Sequence, residues 1–428
     1  MREIISLNEN WTLSFPKGDH ATEQVNLPHT WNAVDGNDGN GSYLRTTGVY
    51  TRTFTAPKQP REGGRTYVEV LAAALNSTVK VNGQVATTHE GGFSIFRADV
   101  TDLCHEGENE LTIEVSNEDT PSMYPSSADF TFYGGLYRGV NLISVPNAHF
   151  DLDYYGGPGM MVTPVPTEDG GANFTIKSFV TNPADDLTVM YSIEDCFGRE
   201  VASAVRGSAD TEVTIYVPDA QLWSMDEPNL YTVVATLQRN NEEVDEIAAN
   251  VGVRSFKVTP DEGFSINGVP TPLRGVSRHQ DRVFEGNALT AEEHYDDAML
   301  IKELGANTIR LAHYQHSQDF YDACDELDYE SGYIGYHLGR RPCDCGFDHA
   351  DWRYDGLYAV WHANYHVFFD DCHDVYYGTA RSGFRQPCGR GAEHPAEYSG
   401  PGERSADKNF GRYGRISECV FPLSKCGK

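Results

Sequence analysis

The 428-residue sequence predicts a multidomain fold in which two β sandwiches precede the start of a (β/α)8 barrel. Residues 1–258 alternate apolar and polar side chains in short runs between turn signals, which is typical of antiparallel sandwiches. The stretch from Leu273 to Leu327 instead indicates strand, helix, strand and helix, with polar clusters after both strands. Residues 331–428 show neither the two-residue apolar period of a strand nor the 3.6-residue period of a helix. We therefore expect a jelly-roll-like β sandwich, an immunoglobulin-like β sandwich, a truncated barrel and an irregular C-terminal tail.

Charge and composition narrow the classes of partner. The chain has 33 Lys and Arg against 63 Asp and Glu, a net charge of -30. Such a chain repels phosphate backbones and anionic bilayers, so neither nucleic acid nor membrane is an expected partner. The N-terminal segment lacks the apolar core of a signal peptide. Cys104, Cys196 and Cys324 form no disulfide pattern. We expect a cytoplasmic protein with a well-solvated acidic surface.

Residues 1–147 are predicted to form the first β sandwich. Turn signals such as Asn82-Gly83 and Gly91-Gly92 separate its alternating segments at sandwich or jelly-roll spacing. These segments are Tyr50–Phe54, Tyr67–Leu71, Thr78–Asn82 and Leu111–Val115.

Residues 148–258 are predicted to form the second sandwich, since about 110 residues of short alternating strands are typical of immunoglobulin-like domains. The strands are expected at Phe174–Val180, Leu187–Ile193, Glu212–Val217 and Tyr231–Leu237. No residue here suggests catalysis, so this domain is interpreted as a spacer.

Residues 259–330 carry the predicted first βα units of the barrel. Leu273–Val276 and Thr308–Ala312 are expected to be strands buried on both faces. Between them, Thr290 and Glu293 can form a capping box at the start of a helix. Ala298, Ile301 and Leu304 are expected on its apolar face, and Gly305 ends it. Each strand ends in a polar cluster, Arg278–Asp281 and Arg310 with His313–Tyr314, at the face where a (β/α)8 barrel has its active site.

Several long motifs resemble glycoside hydrolase family 2, and most of all its β-galactosidases. They are VNLPHTWNAVDG, FYGGLYRGVNL, LWSMDEPNLYTVVATL, GVSRHQDR and ANTIRLAHYQHSQDFYDACDEL, in family order over residues 5–327. The resemblance implies retaining hydrolysis of terminal β-galactosides. The preference for galactoside over glucuronide or mannoside rests on HQDR and LAHYQH. Intact relatives can form homo-oligomers and use Mg²⁺ or Na⁺, but no cofactor is evident in this sequence.

Four residues are candidates for the site. The resemblance implies that Asp129, His279 and His313 bind substrate and that Arg310 orients the catalytic nucleophile. The residue types suit these roles, because a carboxylate accepts hydroxyl hydrogen bonds, imidazole donates and accepts, and guanidinium holds carboxylates with a planar fork. The alternative is that Asp129 is a solvated loop residue and that each histidine is structural.

The two catalytic carboxylates of a retaining glycosidase are not found. The resemblance implies that the acid/base is the Glu of an Asn-Glu pair on a later strand, yet the asparagines of residues 331–428 precede Tyr and Phe. This tail has nine Ile, Leu and Val, too few for a core. We interpret it as out-of-frame translation beginning near residue 328, with a fusion or a genuine domain as alternatives.

A zinc site is a further alternative for the tail, but its Cys and His spacings do not match the usual pairs. The residues that would form it are Cys343, Cys345, His349, Cys372 and His373.

Two functional interpretations follow. One is a glycoside hydrolase of the β-galactosidase type, and the other is a non-catalytic, carbohydrate-associated fragment. Because the carboxylates are missing, we expect the chain itself to be inactive.

Overall fold

The computed structural model describes residues 1–36, 42–57, 63–120, 128, 130–206, 212–327, 330–334 and 359–361. Across these ranges, no helix has both the length and the apolar character needed to cross a membrane. The two predicted sandwiches and the start of the barrel are all present.

The first domain is a sandwich of two antiparallel sheets. One sheet has the order β1-β10-β5-β8 and the other the order β3-β2-β4-β9-β6-β7. Their facing side chains, among them Trp11, Tyr50, Val68 and Ile113, form one buried core. The strands are β1 (Glu3–Ser6), β2 (Trp11–Ser14), β3 (Glu23–Val25), β4 (Thr47–Thr55), β5 (Arg65–Val70), β6 (Asn76–Val81), β7 (Gln84–Glu90), β8 (Phe96–Asp99), β9 (Glu108–Ser116) and β10 (Val140–Val145), with a 3-10 turn at Thr101–Leu103.

Local sequence explains the hairpin between β6 and β7. Asn82 and Gly83 have φ angles of 52° and 77°, the left-handed pair that a two-residue hairpin turn requires. The predicted Asn-Gly turn is therefore confirmed.

The second domain is also a sandwich. A three-stranded sheet β12-β13-β17 faces a four-stranded sheet β16-β15-β18-β19, and β11 pairs with β14. Phe174, Val189, Tyr191 and Val233 lie in its core. The strands are β11 (His149–Phe150), β12 (Met160–Pro166), β13 (Ala172–Ser178), β14 (Val180–Thr181), β15 (Leu187–Glu194), β16 (Glu200–Arg206), β17 (Glu212–Val217), β18 (Leu230–Arg239) and β19 (Glu242–Gly252).

A small antiparallel sheet leads into the barrel segment, formed by β20 (Phe256–Thr259), β21 (Gly263–Ile266) and β22 (Val269–Pro270). The barrel segment consists of β23 (Gly275–Arg278), α1 (Ala291–Glu303), β24 (Thr308–Leu311) and α2 (Gln318–Glu326), followed by β25 (Glu330–Ile334) and β26 (Ala359–Trp361). Strands β23, β24 and β25 are parallel, and β26 is antiparallel to β25.

Helix α1 begins as predicted. The Thr290 hydroxyl accepts from the Glu293 N–H at 3.3 Å, and the Glu293 carboxylate accepts from the Thr290 N–H at 2.7 Å. Its buried face differs from the prediction, because His294, Ala298 and Ile301 are buried while Leu304 is 77% exposed. Leu304 is the C-cap residue, one position beyond the last helical residue Glu303.

Strand β23 begins two residues later than predicted. Arg274 is instead held by Asn307, whose side chain accepts from the Arg274 N–H at 2.7 Å. In β23, Gly275 and Ser277 are exposed, and in β24, Thr308 and Arg310 are half-buried. Neither strand is therefore buried on both faces as expected. The helices α1 and α2 cover only one side of the sheet, and the core there contains Ile309, Leu311 and Phe320.

Candidate functional site

The candidate site lies where β23 and β24 end. Arg278 pairs with Leu311 in the parallel register, so the residues that follow both strands emerge at one edge. The imidazole centroids of His279 and His313 are 5.2 Å apart, with the rings nearly perpendicular. The predicted convergence of the two strand ends is present in the fold.

Arg310 fixes the tautomer of His313. Its guanidinium donates to His313 Nδ1 at 2.9 Å. Because Nδ1 then accepts, the proton of the neutral ring must lie on Nε2. His313 is exposed, so the pair presents cationic and neutral N–H donors beside each other.

His279 is supported by Tyr314. The Tyr314 hydroxyl lies 3.5 Å from His279 Nδ1 and accepts from the Gln280 N–H at 3.3 Å. Burial raises the pKa of Tyr314 well above its ordinary value, so this hydroxyl keeps its proton and remains a donor.

Aromatic residues of the first domain close the same site. The Phe130 ring lies 5.7 Å from His279 and 6.1 Å from His313, centroid to centroid. Phe93 stacks on Tyr314 at 4.4 Å, with the ring planes 9° apart. The first domain therefore forms part of the site's wall.

Asp129 is outside the described residues, so its place in the site remains a prediction. Phe130, which follows it in the sequence, is the residue that contacts both histidines.

A buried polar cluster lies behind the site and was not singled out by sequence reasoning. Arg278, 7% exposed, donates to His316 Nδ1 and His294 Nδ1 at 3.1 Å each. It also pairs at 2.5 Å with Asp297 of α1, which holds Arg282 as well. Arg278 thus joins the loop after β24 to helix α1.

The two histidines of this cluster are held neutral. Burial, together with the neighbouring arginines, lowers the pKa of His294 to about 2. Burial also lowers the pKa of His316 well below its ordinary value. The sequence offered two signals for this cluster, the position of Arg278 at the end of a strand and that of His316 at the end of the LAHYQH motif, but neither indicated that the two residues are partners.

Metal ligands are absent from the part of the chain that the structure describes, where no group of three or more His, Cys, Asp or Glu could hold an ion. Cys104, Cys196 and Cys324 are free thiols. The residues of the zinc alternative (Cys343, Cys345, His349, Cys372 and His373) and the expected place of the Asn-Glu pair lie outside the described residues.

Two sandwiches that precede a barrel, with histidines and an arginine at the ends of its first two strands, define the architecture of a multidomain glycoside hydrolase. Three family models match the chain in order. They are described as "Glycosyl hydrolases family 2, sugar binding domain" over residues 4–146, "Glycosyl hydrolases family 2" over 160–254, and "Glycosyl hydrolases family 2, TIM barrel domain" over 256–329. The chain belongs to glycoside hydrolase family 2.

Individual relatives include both glucuronidases and galactosidases. A β-glucuronidase of Bacteroides fragilis is 32% identical over 76% of this chain and 48% of its own length. A β-galactosidase of Bacteroides ovatus is 29% identical over 77% of this chain and 40% of its own.

Among solved structures, the FMN-binding β-glucuronidase from Facaelibacterium prausnitzii L2-6 is 81% identical, with a TM-score of 0.76. The match covers 77% of this chain and 52% of that one. The chain therefore spans about half the length of the proteins it matches.

Proposed function

We propose that this chain carries the sugar-binding half of a retaining β-glycosidase site. The observation that carries the proposal is the convergence of three side chains at the ends of two neighbouring parallel strands. Arg310 lies near the end of β24, His279 and His313 follow β23 and β24, and Phe130 lies beside both imidazole rings.

Each side chain suits part of this task. With Nδ1 accepting from Arg310, His313 offers Nε2–H to a sugar hydroxyl oxygen. His279, with the Tyr314 hydroxyl near its Nδ1, can do the same. Arg310 supplies the planar cation that would hold a nucleophilic carboxylate in its ionised form. The Phe130 ring gives an apolar surface for the C–H face of a pyranose.

We propose a β-glucuronide as the sugar class, with a β-galactoside as the second candidate. The glucuronide is supported by the 81% identical β-glucuronidase structure and the 32% identical relative. The galactoside is supported by the HQDR and LAHYQH motifs and by the relative from Bacteroides ovatus. Titrating the purified chain with methyl β-D-glucuronide and methyl β-D-galactoside, followed by saturation-transfer NMR, separates the two. Preferential transfer to the galactoside would overturn the glucuronide assignment.

We further propose that the 428-residue chain does not itself hydrolyse glycosides, because no Asn-Glu pair follows residue 330. The test is release of p-nitrophenol from p-nitrophenyl β-D-glucuronide and β-D-galactoside. The expected rate equals that of a buffer control. Activity that persists through a second purification would contradict the inference that the catalytic carboxylates are missing.

No step of this proposal uses a bound cofactor. FMN binding is a property stated for the similar protein and is not carried over to this chain.

A further inference from the structure

Arg138 links the first domain to both loops that carry the site histidines. It is 7% exposed, and one terminal nitrogen donates to Gln280 Oε1 at 3.1 Å and to the Gln315 carbonyl at 2.7 Å. Gln280 follows His279 by one position, and Gln315 follows His313 by two. A single buried guanidinium therefore bridges the chain segments on which both imidazoles are mounted.

The acceptors of Arg138 are themselves fixed. Gln280 is fully buried, and its Oε1 also accepts from the Ser317 N–H at 2.8 Å. Its amide nitrogen donates to the Asn287 carbonyl at 3.3 Å. The Gln280 side chain thus spans both loops, with Arg138 holding it from the side of the first domain.

The other terminal nitrogen of Arg138 completes the connection. It donates to the Phe93 carbonyl at 3.1 Å, and the Phe93 ring stacks on Tyr314, the neighbour of His313. Tyr133, also from the first domain, donates its hydroxyl to Asp281 at 3.1 Å. Phe93 and Tyr133 therefore contact Tyr314 and Asp281, which lie one residue after His313 and two residues after His279.

We propose that Arg138 is a positioning residue of the sugar site. From its place in the first domain, it sets the distance between the His279 and His313 imidazoles. This role rests on the proposed function, since positioning has meaning only if the two imidazoles bind a sugar. A displacement of about 1 Å can greatly weaken the contribution of a positioned group. A buried bridge that keeps two loops at a fixed distance therefore protects the contribution of the side chains they carry.

Hydrogen–deuterium exchange of the full chain tests the bridge without any sugar. In R138Q, amide exchange in residues 279–288 and 312–318 should rise at least tenfold, while residues 187–194 of the second domain stay unchanged. R138K, which keeps a cationic donor, should return both segments to within about threefold of the wild-type rate.

Arg97→Gln is the matched control. Arg97 is another buried arginine of the first domain that donates to loop carbonyls, including Gly156 at 3.1 Å, and pairs with Glu69. R97Q should increase exchange around residues 151–159 and leave both barrel loops unchanged. If R97Q increases exchange in the barrel loops as much as R138Q does, or if R138Q leaves them unchanged, the proposal is overturned.

If R138Q does not fold, Q280M removes the Gln280 acceptor of Arg138 from the barrel side, together with the contacts of Gln280 to Ser317 and Asn287, and should raise exchange in both loops. Saturation transfer to methyl β-D-glucuronide then tests the functional half, and it should fall in R138Q and return in R138K. If R138Q loses loop protection but the wild type binds no sugar, the proposed function is contradicted and the positioning role of Arg138 in the two loops is still supported.

Discussion

Arg278 shows how a buried charge can organise the residues around it. Its guanidinium is satisfied by Asp297 and by the Nδ1 atoms of His294 and His316. Both imidazoles must stay unprotonated at Nδ1 to accept these bonds, and burial reinforces that state. Protonating either histidine would leave two adjacent buried cations.

This arrangement predicts a loss of stability in acid. An unfolded histidine titrates near pH 6.5, whereas the folded pKa of His294 is about 2. Between these values the unfolded state binds more protons, so the stability contribution is full above about pH 6.5 and falls as the pH falls. Thermal unfolding from pH 8 to pH 4 should show the decline, and H294Q should reduce its slope.

His20 provides the control for this pH dependence, because it is exposed in the first domain. H20Q should keep the wild-type slope. A slope in H294Q as steep as that of the wild type would contradict the assignment of the decline to His294.

Some residues of this region could be predicted from the sequence and others could not. His279, Arg310 and His313 could be selected because each lies at or just after the end of a strand and belongs to a family motif. The role of Arg278 depends on the direction of its side chain, away from the site and toward α1, which the pattern of the strand does not reveal. Arg138 could not be found, because its partner Gln280 is 142 positions away in the sequence.

Among the secondary-structure elements, helix α1 has the N-terminus that is most clearly predicted by the local sequence. Thr290 and Glu293 are only three residues apart, so local sequence was sufficient to predict the capping box that the structure contains. The helix also carries Asp297, and therefore its position affects the Arg278 cluster behind the site.

Removing the cap should destabilise the barrel segment. T290A loses the acceptor for the Glu293 N–H and should cost about 1 kcal/mol, measured as a lower urea midpoint. T290S keeps the hydroxyl and should lie within a few tenths of a kcal/mol of the wild type. Equal midpoints for T290A and T290S would contradict a stabilising role for the cap.

Other element boundaries were set by tertiary contacts. Leu273 was predicted to begin a strand, yet the link between Arg274 and Asn307 delays pairing to Gly275. Leu304 continued the apolar period of α1, but it is the C-cap residue and is 77% exposed. Both differences arise from packing that the local sequence does not contain.

For the whole molecule, the two sandwiches are joined by a buried ion pair. Asp245 of the second domain is fully buried and accepts from Arg2 at 2.8 Å and from the Phe150 N–H at 2.8 Å. Arg2 also donates to the Phe150 carbonyl at 3.0 Å. This pair fixes the junction that precedes β12.

Breaking this pair should cost far more than breaking an exposed one. D245A removes the carboxylate that pairs with Arg2 and leaves the Phe150 N–H without its acceptor, and it should lower stability by about 3–5 kcal/mol. Asp186 pairs with Arg239 at 2.8 Å on the surface, so D186A should cost about 1 kcal/mol or less. Similar urea midpoints for the two variants would contradict the proposed role of the junction.

We also propose that the coding sequence changes frame near residue 328. The barrel family model matches through residue 329, and the scarcity of Ile, Leu and Val begins just beyond it. Sequencing the coding DNA should reveal a shifted frame that restores a barrel strand and an Asn-Glu pair. The proposal is wrong if neither alternative frame does so.

We propose that His279 and His313 form a sugar-binding site at the ends of the barrel's first two strands. Saturation-transfer NMR of methyl β-D-glucuronide with the full chain, its H279A and H313A variants, and H20A as control tests it most directly. We predict transfer in the wild type and H20A and its loss in both site variants. Transfer that survives in H279A and H313A, or none in the wild type, would contradict the claim.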